Sequence, residues 1–168
     1  MLITTSRRPC HRARLLGREL SRVLPRACYV PRGTKTVRKL AHLAGSQGHK
    51  VITIITTKQE QPAELRFLEV NEAWRWLDLS LVLQEVRLQR DLNKKVKLDE
   101  VELVAEDREA ESLAKELSRL WELPLAKGPQ AENLAVIKGT EGLKLEFRSR
   151  GELVGPAFRL SIAKVLKW

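Results

Sequence analysis

The sequence predicts an α/β protein built from two similar, duplicated halves, each with a mixed β-sheet and flanking helices. Three observations favour this fold class. Strand-like segments alternate with amphipathic helical segments, which is typical of partly parallel sheets. One helical segment of the first half recurs in the second half. The 168 residues are 43% hydrophobic, which is enough apolar material for a buried core.

The first half alternates strands with helices. In chain order we predict a strand over 2–5, a helix over 9–24, a short strand over 27–30, a helix over 34–47 and a strand over 51–57. The last of these reads VITIITT and is β-branched throughout, which is the pattern of a strand covered on both faces. The alternation therefore indicates parallel pairing in this half.

Two more strands complete the first half and a shorter set forms the second. ELRFLEV (64–70) follows a turn predicted at Gln61–Pro62, and leucines at every second position of 77–83 predict a further strand. The polar residues 84–100 are predicted to cross between the halves. The second half is predicted to contain a strand over 101–105, a helix over 107–122, strands over 134–138 and 143–149, and a final segment over 157–167. We treat 1–168 as a single domain whose N-terminal half spans about 1–83 and whose C-terminal half spans about 98–168.

The recurring helical segment indicates a duplication. Residues 13–24 (ARLLGRELSRVL) and 110–121 (AESLAKELSRLW) share six identities in twelve positions at an offset of 97. The apolar positions of the two segments coincide with the i, i+3, i+4, i+7 spacing of one helical face. Leucine patterning alone can produce such agreement by chance, but the shared ELSR is harder to explain that way. A repeated unit of about 80 residues is the natural interpretation.

The positive charge is concentrated in the first third of the chain. The whole protein carries 31 Lys and Arg against 21 Asp and Glu, a formal net charge of +10. Residues 1–60 hold 13 of those cations and only two acids, a net charge of +11, and the remainder is close to neutral. Such a field attracts polyanions, of which nucleic acid is the most common. Nucleotides, acidic lipid surfaces, and a basic face that serves solubility alone are the alternatives.

Arginines on the first helix are the strongest candidates for phosphate contacts. Arg14, Arg18 and Arg22 recur at i, i+4, i+8, and a guanidinium fork matches two phosphate oxygens. In the repeated helix Glu111 replaces Arg14, so the first half is the expected nucleic-acid face. These arginines could instead pair with acids of the second half. The full predicted set is Arg7, Arg8, Arg12, Arg14, Arg18, Arg22, Arg32, Lys35, Arg38 and Lys39.

Catalytic and metal-binding patterns are missing from the sequence. The three histidines and two cysteines show neither CxxC nor HxxxH spacing, and no P-loop or GxGxxG is present. The acidic run 99–111 is predicted to lie at a helix start rather than to perform acid–base chemistry. Gly33-Thr34-Lys35-Thr36 is predicted to open a helix, either with Thr34 as its N-cap or with backbone amides that hold a phosphate. We therefore expect no enzyme, no cofactor and no metal.

Other features of the sequence exclude some locations and classes of protein. No apolar run approaches the roughly 20 residues that cross a bilayer, and no secretory signal is found. The Arg-rich start is interpreted as part of the fold rather than as a transit peptide, so we expect a cytoplasmic protein. With eight aromatic residues a multi-base stacking platform is not expected, and Trp74, Trp76 and Tyr29 are predicted to be core or interface residues. Two cysteines exclude a disulfide-rich scaffold and leave open whether Cys10 and Cys28 pair.

Residues 4–40 resemble the opening of the Brix domain family of ribosome-biogenesis factors. Members of that family begin with a T-S-R-x-P motif, continue into an amphipathic helix that ends in a proline, and carry an R-G pair before a second helix. The matching residues here are Thr5-Ser6-Arg7-Arg8-Pro9, Pro25 and Arg32-Gly33. The end of the chain, 153–168, resembles the closing G-P-R-F-x-L motif. Gly155, Pro156, Phe158 and Leu160 match that motif, while Ala157 stands where many members carry arginine.

The resemblance implies an archaeal single-domain member whose halves are similar to the anticodon-binding domain of class II aminoacyl-tRNA synthetases. It implies a non-enzymatic, RNA-binding role in precursor-rRNA processing and ribosomal subunit assembly. The expected partner is an rRNA precursor, with ribosomal proteins or small ribonucleoprotein components as further candidates and no membrane. One rival is a protein–protein scaffold that docks acidic partners or ribosomal proteins on its basic face. An enzyme acting on nucleic acid is the other rival.

Overall fold

The computed structural model describes residues 1–127 and 130–164. In this part of the chain the protein is a mixed α/β structure with three α-helices and nine strands. The residues divide into two compact units. Unit 1 comprises 1–21, 26–83 and the segment from Ile162 onward, and unit 2 comprises 22–25 and 84–161.

The helices and strands occur in the predicted order. In chain order they are β1 (Leu2–Thr5), α1 (His11–Val23), β2 (Cys28–Tyr29), α2 (Val37–Ser46), β3 (Val51–Lys58), β4 (Gln61–Val70), β5 (Trp74–Arg87), β6 (Glu102–Ala105), α3 (Glu111–Trp121), β7 (Asn133–Lys138), β8 (Leu143–Ser149) and β9 (Glu152–Lys164). Short 3-10 helices span Arg90–Leu92 and Arg108–Ala110. The predicted α/β fold class is therefore confirmed.

Unit 1 combines parallel and antiparallel pairing in the order β2-β1-β3-β4-β5. β1 lies parallel to both β2 and β3, and β3, β4 and β5 follow as antiparallel neighbours. One core cluster joins α2 to this sheet, because Leu40, Ala41 and Ala44 pack with Ile52 and Leu68. The buried face of α2 thus follows the apolar spacing of its sequence.

Unit 2 repeats the connectivity of unit 1 with fewer elements. β6 lies parallel to β7, and β7, β8 and β9 follow as antiparallel neighbours. α3 connects the parallel pair β6 and β7, while in unit 1 the connection between β1 and β3 contains α1, β2 and α2. Both units therefore contain a parallel strand pair continued by two antiparallel strands, and unit 2 has no counterpart of α2 in its described residues.

The repeated helical segments bury the same positions. Ala13, Leu16, Leu20, Val23 and Leu24 are at most 2% exposed. Their partners at an offset of 97 are equally buried, namely Ala110, Leu113, Leu117, Leu120 and Trp121. The apolar face predicted from the spacing is confirmed in both segments.

Two local predictions were wrong. The chain does not turn at Gln61–Pro62, since both residues belong to β4. It turns two residues earlier, at Gln59 and Glu60, which have φ of 50° and 60°. The N-cap of α2 is Thr36 rather than Thr34, because the Thr36 hydroxyl accepts from the Lys39 amide at 3.2 Å. The last three residues of the predicted final segment, 165–167, lie outside the described residues.

Gly17 has a packing reason to be glycine. A Cβ at this position would lie 2.6 Å from Cε2 and 2.7 Å from Cδ2 of Tyr29, closer than real carbon atoms approach. Gly45 in α2 offers a contrast, because its Cβ would make only an ordinary contact of 3.8 Å with Val70. Both glycines have the backbone of a helix, so only the space around them differs.

We therefore predict opposite effects of the same substitution. Gly17→Ala lowers the free energy of unfolding by about 1–3 kcal/mol, since the Tyr29 ring must move. Gly45→Ala raises it by up to about 1 kcal/mol through helix propensity alone. Urea unfolding of the two variants measures both signs. A stabilised Gly17→Ala would contradict the packing of Tyr29 on α1.

Candidate nucleic-acid interface

Two basic loops leave the carboxyl ends of neighbouring parallel strands in unit 1. β1 ends at Thr5 and is followed by the exposed Arg7 and Arg8, while β2 is followed by the loop that contains Arg32. Because parallel strands end at the same edge of a sheet, the two loops meet there. Nη1 of Arg32 donates to the carbonyl oxygen of Thr5 at 3.1 Å, which joins the loops directly.

Arg32 points inward at this edge. Its side chain is buried, with the residue 8% exposed, and its Nε donates to the carbonyl oxygen of Lys35 at 2.7 Å. Burial lowers the pKa of the Arg32 guanidinium, and the positive charge of Arg7 lowers it further. The guanidinium that the sequence assigned to RNA is used here on two backbone carbonyls.

Helix α1 presents Arg14 and Arg18 on its outer face. Both residues are exposed, and the Arg18 guanidinium lies over the Tyr29 ring at 5.8 Å from its centroid. Burial raises the pKa of the Tyr29 phenol, an effect that the charges of Arg18 and Arg14 partly offset. The Tyr29 ring thus makes a cation–π contact with Arg18. The ring lies so close to α1 that position 17 has no room for a Cβ.

Arg22 is placed differently from the other two arginines of its row. It belongs to unit 2 and is only half-exposed, and its Nη2 donates to Oε1 of Gln89 at 3.5 Å. Its Nε is buried without a hydrogen-bond acceptor among the described residues. Of the three arginines at i, i+4, i+8, Arg14 and Arg18 are therefore exposed and Arg22 faces inward.

The start of α2 adds cations to the edge of unit 1. Arg38 and Lys39 are exposed in its first turn, which Thr36 caps. Gly33 has φ of +51°, and the Lys35 ammonium donates to the carbonyl oxygen of Pro31 at 3.0 Å. The loop is therefore tied to itself through Lys35, and the first turn of α2 carries the exposed charge.

We define the cationic edge as the exposed basic residues of this region. They are Arg7, Arg8, Arg14, Arg18, Arg38 and Lys39. Arg12 and Lys35 are half-buried beside them. The first 60 residues contain only two acids, Glu19 and Glu60, and Glu19 is 3% exposed. The acids of the same segment are therefore too few to neutralise the cationic edge.

The acidic run of unit 2 has a structural use. Asp107 accepts hydrogen bonds from the amides of Ala110, Gly139 and Thr140 at 3.0, 2.7 and 3.1 Å, and from the Thr140 hydroxyl at 2.9 Å. The Gly139 amide contributes most to lowering the pKa of the Asp107 carboxyl. This carboxylate caps a helix start, as the sequence predicted for the run.

Residues 1–127 and 130–164 contain neither a metal-binding cluster nor a disulfide. Within those ranges no group of three or more His, Cys, Asp or Glu side chains is arranged to hold a metal ion. Cys10 and Cys28 are free thiols and do not pair with each other. The helices described are all too short or too polar to span a bilayer.

Trp74 lies at the surface of the protein. It is 42% exposed, so of the two alternatives predicted for it, core or interface, the core is excluded. Trp76, two residues later in β5, is half-buried beneath the Arg66 guanidinium, which lies 4.6 Å from its ring centroid. Alternation along β5 places the Trp74 and Trp76 rings on the same face of the sheet. Trp74 is the more exposed of the two because it lies at the end of the hairpin.

Comparison with known proteins shows relatives of one kind. A probable Brix domain-containing ribosomal biogenesis protein of Pyrococcus horikoshii is 40% identical over 96 residues, which cover 56% of this chain and 42% of that protein. A protein of the same description from Methanopyrus kandleri is 42% identical over 90 residues, which cover 54% of this chain and 47% of that protein. The resemblance to the Brix domain family is confirmed. The match spans less than half the length of these curated relatives, and no family model matches the chain.

Two solved archaeal structures share the fold over nearly the whole chain. A probable ribosomal biogenesis protein from Aeropyrum pernix superposes with a TM-score of 0.85 at 25% identity, covering 99% of this chain and 96% of that one. Mil, an archaeal Imp4-like protein, superposes with a TM-score of 0.70 at 19% identity, covering 98% of this chain and all of Mil. The second likeness is one of fold alone.

The residues that carry the Brix resemblance are mainly packing residues. Thr5 and Arg32, from separate parts of the N-terminal motif, are joined by the hydrogen bond described above. In the C-terminal motif Phe158 and Ala157 are buried in β9. Gly155 has φ of +73°, and its carbonyl oxygen accepts from Nε2 of Gln89 at 3.1 Å. The motif residues thus join separate segments of the chain by hydrogen bonds and packing. The cationic edge lies beside the N-terminal motif.

This placement predicts that Arg32 and Arg38 have separable roles. Arg32→Ala lowers the free energy of unfolding by about 2–3 kcal/mol, because it removes charge-assisted bonds to two carbonyl groups. Arg38→Ala changes it by less than about 0.5 kcal/mol, since Arg38 is an exposed surface residue. Chemical denaturation of both variants provides the measurement. Equal stabilities would show that Arg32 does not hold the two loops together.

Proposed function

We propose that the protein is an RNA-binding ribosome-biogenesis factor that acts, without catalysis, in precursor-rRNA processing and ribosomal subunit assembly. The observation that carries the proposal is the cationic edge of unit 1, which collects exposed guanidinium and ammonium groups from the loop after β1 and from helices α1 and α2. The descriptions of the archaeal relatives as ribosomal biogenesis proteins support the cellular role. We expect this role in the cytoplasm, with an rRNA precursor as partner.

The physical basis of the proposed binding is phosphate recognition. Four of the six exposed cations lie on α1 and α2, and the other two lie in the loop that Arg32 contacts. The N-terminal ends of α1 and α2 add the partial positive charge of their backbone amides. Contacts of this kind position a protein on RNA without reading its sequence. Selectivity for one rRNA region then comes from RNA shape and from unpaired elements.

We further interpret the common connectivity of the two units as the product of a duplication. The coincident buried positions of α1 and α3 support this interpretation. The similarity of the halves to the anticodon-binding domain of class II synthetases remains a prediction. In this interpretation the second copy keeps the core and loses the charge, as Glu111 at the position of Arg14 illustrates.

The proposal is tested by moving the same charge loss between the two units. The edge variant replaces four exposed cations of unit 1 by glutamine: Arg7, Arg14, Arg38 and Lys39. The control variant replaces four exposed cations of unit 2 by glutamine: Lys97, Arg108, Lys115 and Arg159. Both variants lose four positive charges, so only the location differs.

We expect the edge variant to bind a precursor-rRNA transcript at least about tenfold more weakly than the control variant. The slope of log affinity against log salt concentration should be less steep by about 3 for the edge variant. Each lost phosphate contact reduces this slope by about 0.7–0.9, and four contacts are removed. Fluorescence anisotropy over a salt series measures both quantities. Equal losses in the two variants would show that the charge acts as a general field and not at the cationic edge. Undiminished affinity in both would show that these cations do not hold the RNA, which leaves the cationic edge available to an acidic protein partner.

A further inference from the structure

Beside α2 lies a cavity that the cationic edge does not account for. We call it the Trp74 pocket, with a volume of about 480 Å³ and a lining that includes Arg38, Ala41, His42, Gly45, Val70 and Trp74. All of these residues belong to unit 1. The volume falls within the range of small-ligand sites, roughly 300–1,000 Å³.

The floor and the mouth of the pocket have different characters. Ala41 and Val70 are buried and provide an apolar floor. Gly45 is exposed beside them, and a Cβ on it would still leave ordinary contact distance to Val70. Trp74 stands at the mouth, where it pairs with Val70 across the β4–β5 hairpin and remains 42% exposed. Single exposed apolar residues are common on proteins, so the exposure matters here because it borders a cavity.

The charged groups of the pocket distinguish one class of occupant. Arg38 and His42 line it from successive turns of α2, and Glu72 lies in the hairpin turn on the other side. A guanidinium beside an exposed indole is the combination that binds the phosphate and the base of one nucleotide. The carboxylate of Glu72 accepts hydrogen bonds from a sugar hydroxyl or a base amino group and repels phosphate, which orients the nucleotide.

We infer that the Trp74 pocket binds one unpaired nucleotide of RNA, with the base stacked on the Trp74 ring and a neighbouring phosphate on Arg38. Two observations favour RNA over an apolar protein side chain. Arg38 belongs to both the pocket and the cationic edge, so a strand bound on the edge continues into the pocket. The ionisable groups at the pocket also match a nucleotide better than a hydrocarbon. This inference rests on the proposed RNA binding.

An unpaired base is required because an aromatic side chain can stack only on a base that has left its helix. The pocket therefore confers a preference for single-stranded over double-stranded RNA that phosphate contacts alone do not supply. This preference separates the inference from the general RNA binding proposed above.

The test compares a short fluorescein-labelled oligouridine with a labelled RNA duplex of the same length in the same buffer. Trp74→Ala removes the stacking surface, and Gly45→Leu places a bulky side chain in the pocket while leaving Trp74 in place. Leu125→Ala, at a residue of unit 2 that is 47% exposed, is the matched control for loss of an exposed apolar side chain. Circular dichroism and thermal melting establish that each variant is folded.

We expect Trp74→Ala to weaken oligouridine binding by about 5-fold to 150-fold, as the loss of one stacked base predicts. Gly45→Leu should weaken it in the same direction, while duplex binding by both variants and oligouridine binding by Leu125→Ala stay within about twofold of the unaltered protein. Oligouridine should also quench the tryptophan emission of the unaltered protein and quench that of Trp74→Ala less.

Two results overturn the inference, and they differ in what they leave standing. If the unaltered protein binds oligouridine and both pocket variants bind it equally well, the pocket is not a nucleotide site although RNA binding holds. In that case the exposed indole is available to a protein partner. If the unaltered protein binds neither RNA, the pocket inference and the proposed function fail together.

Discussion

The buried guanidinium of Arg32 is the constraint on which the basic region of unit 1 depends. It donates to the carbonyl oxygens of Thr5 and Lys35, and so it fixes the loop after β2 against the end of β1. Because α1 and α2 begin just beyond these two loops, their first turns are held at one edge of the sheet. One cation is thus removed from the surface, and the others, such as Arg7 and Arg38, are presented from rigid positions. Rigid presentation lowers the entropy lost when a phosphate is bound.

The two units show how one connectivity can serve two electrostatic purposes. α1 and α3 bury equivalent positions, so the packing of the helix on its sheet is common to both. The outer faces diverge, with Arg14 exposed in one and Glu111 exposed in the other. The acids of unit 2 take part in local contacts, such as Asp107 at the start of its helix and Glu146 with Arg148 at 2.7 Å. The first 60 residues, which carry the cationic edge, contain only two acids for such pairing.

Much of the fold could be predicted from the sequence because periodicity reports burial directly. The β-branched run 51–57 corresponds to the mostly buried strand β3. The i, i+3, i+4, i+7 spacing of α1 corresponds to its buried face. The turn before β4 was misjudged because Pro62 lies inside an antiparallel strand, at an irregular point of its register with β3. Thr36 rather than Thr34 caps α2 because the helix begins at Val37. The residue at which a loop ends and a helix begins depends on the path of the loop, which local composition does not determine.

The candidate site was predicted less completely, since residue type does not reveal direction. Arginine is counted as charge whether it faces solvent, as Arg14 does, or backbone carbonyls, as Arg32 does. Trp74 was predicted to be a core or interface residue because large aromatic residues are usually buried. Its exposed position at the end of a hairpin beside α2 depends on tertiary structure.

We propose that the cationic edge holds rRNA, and ultraviolet crosslinking of the tagged protein in its native cells tests this most directly. Sequencing of the bound RNA should show reads concentrated on one or a few rRNA precursor regions, and those reads should be depleted in the edge variant. Reads scattered over all transcripts, or unchanged in the edge variant, would contradict the account.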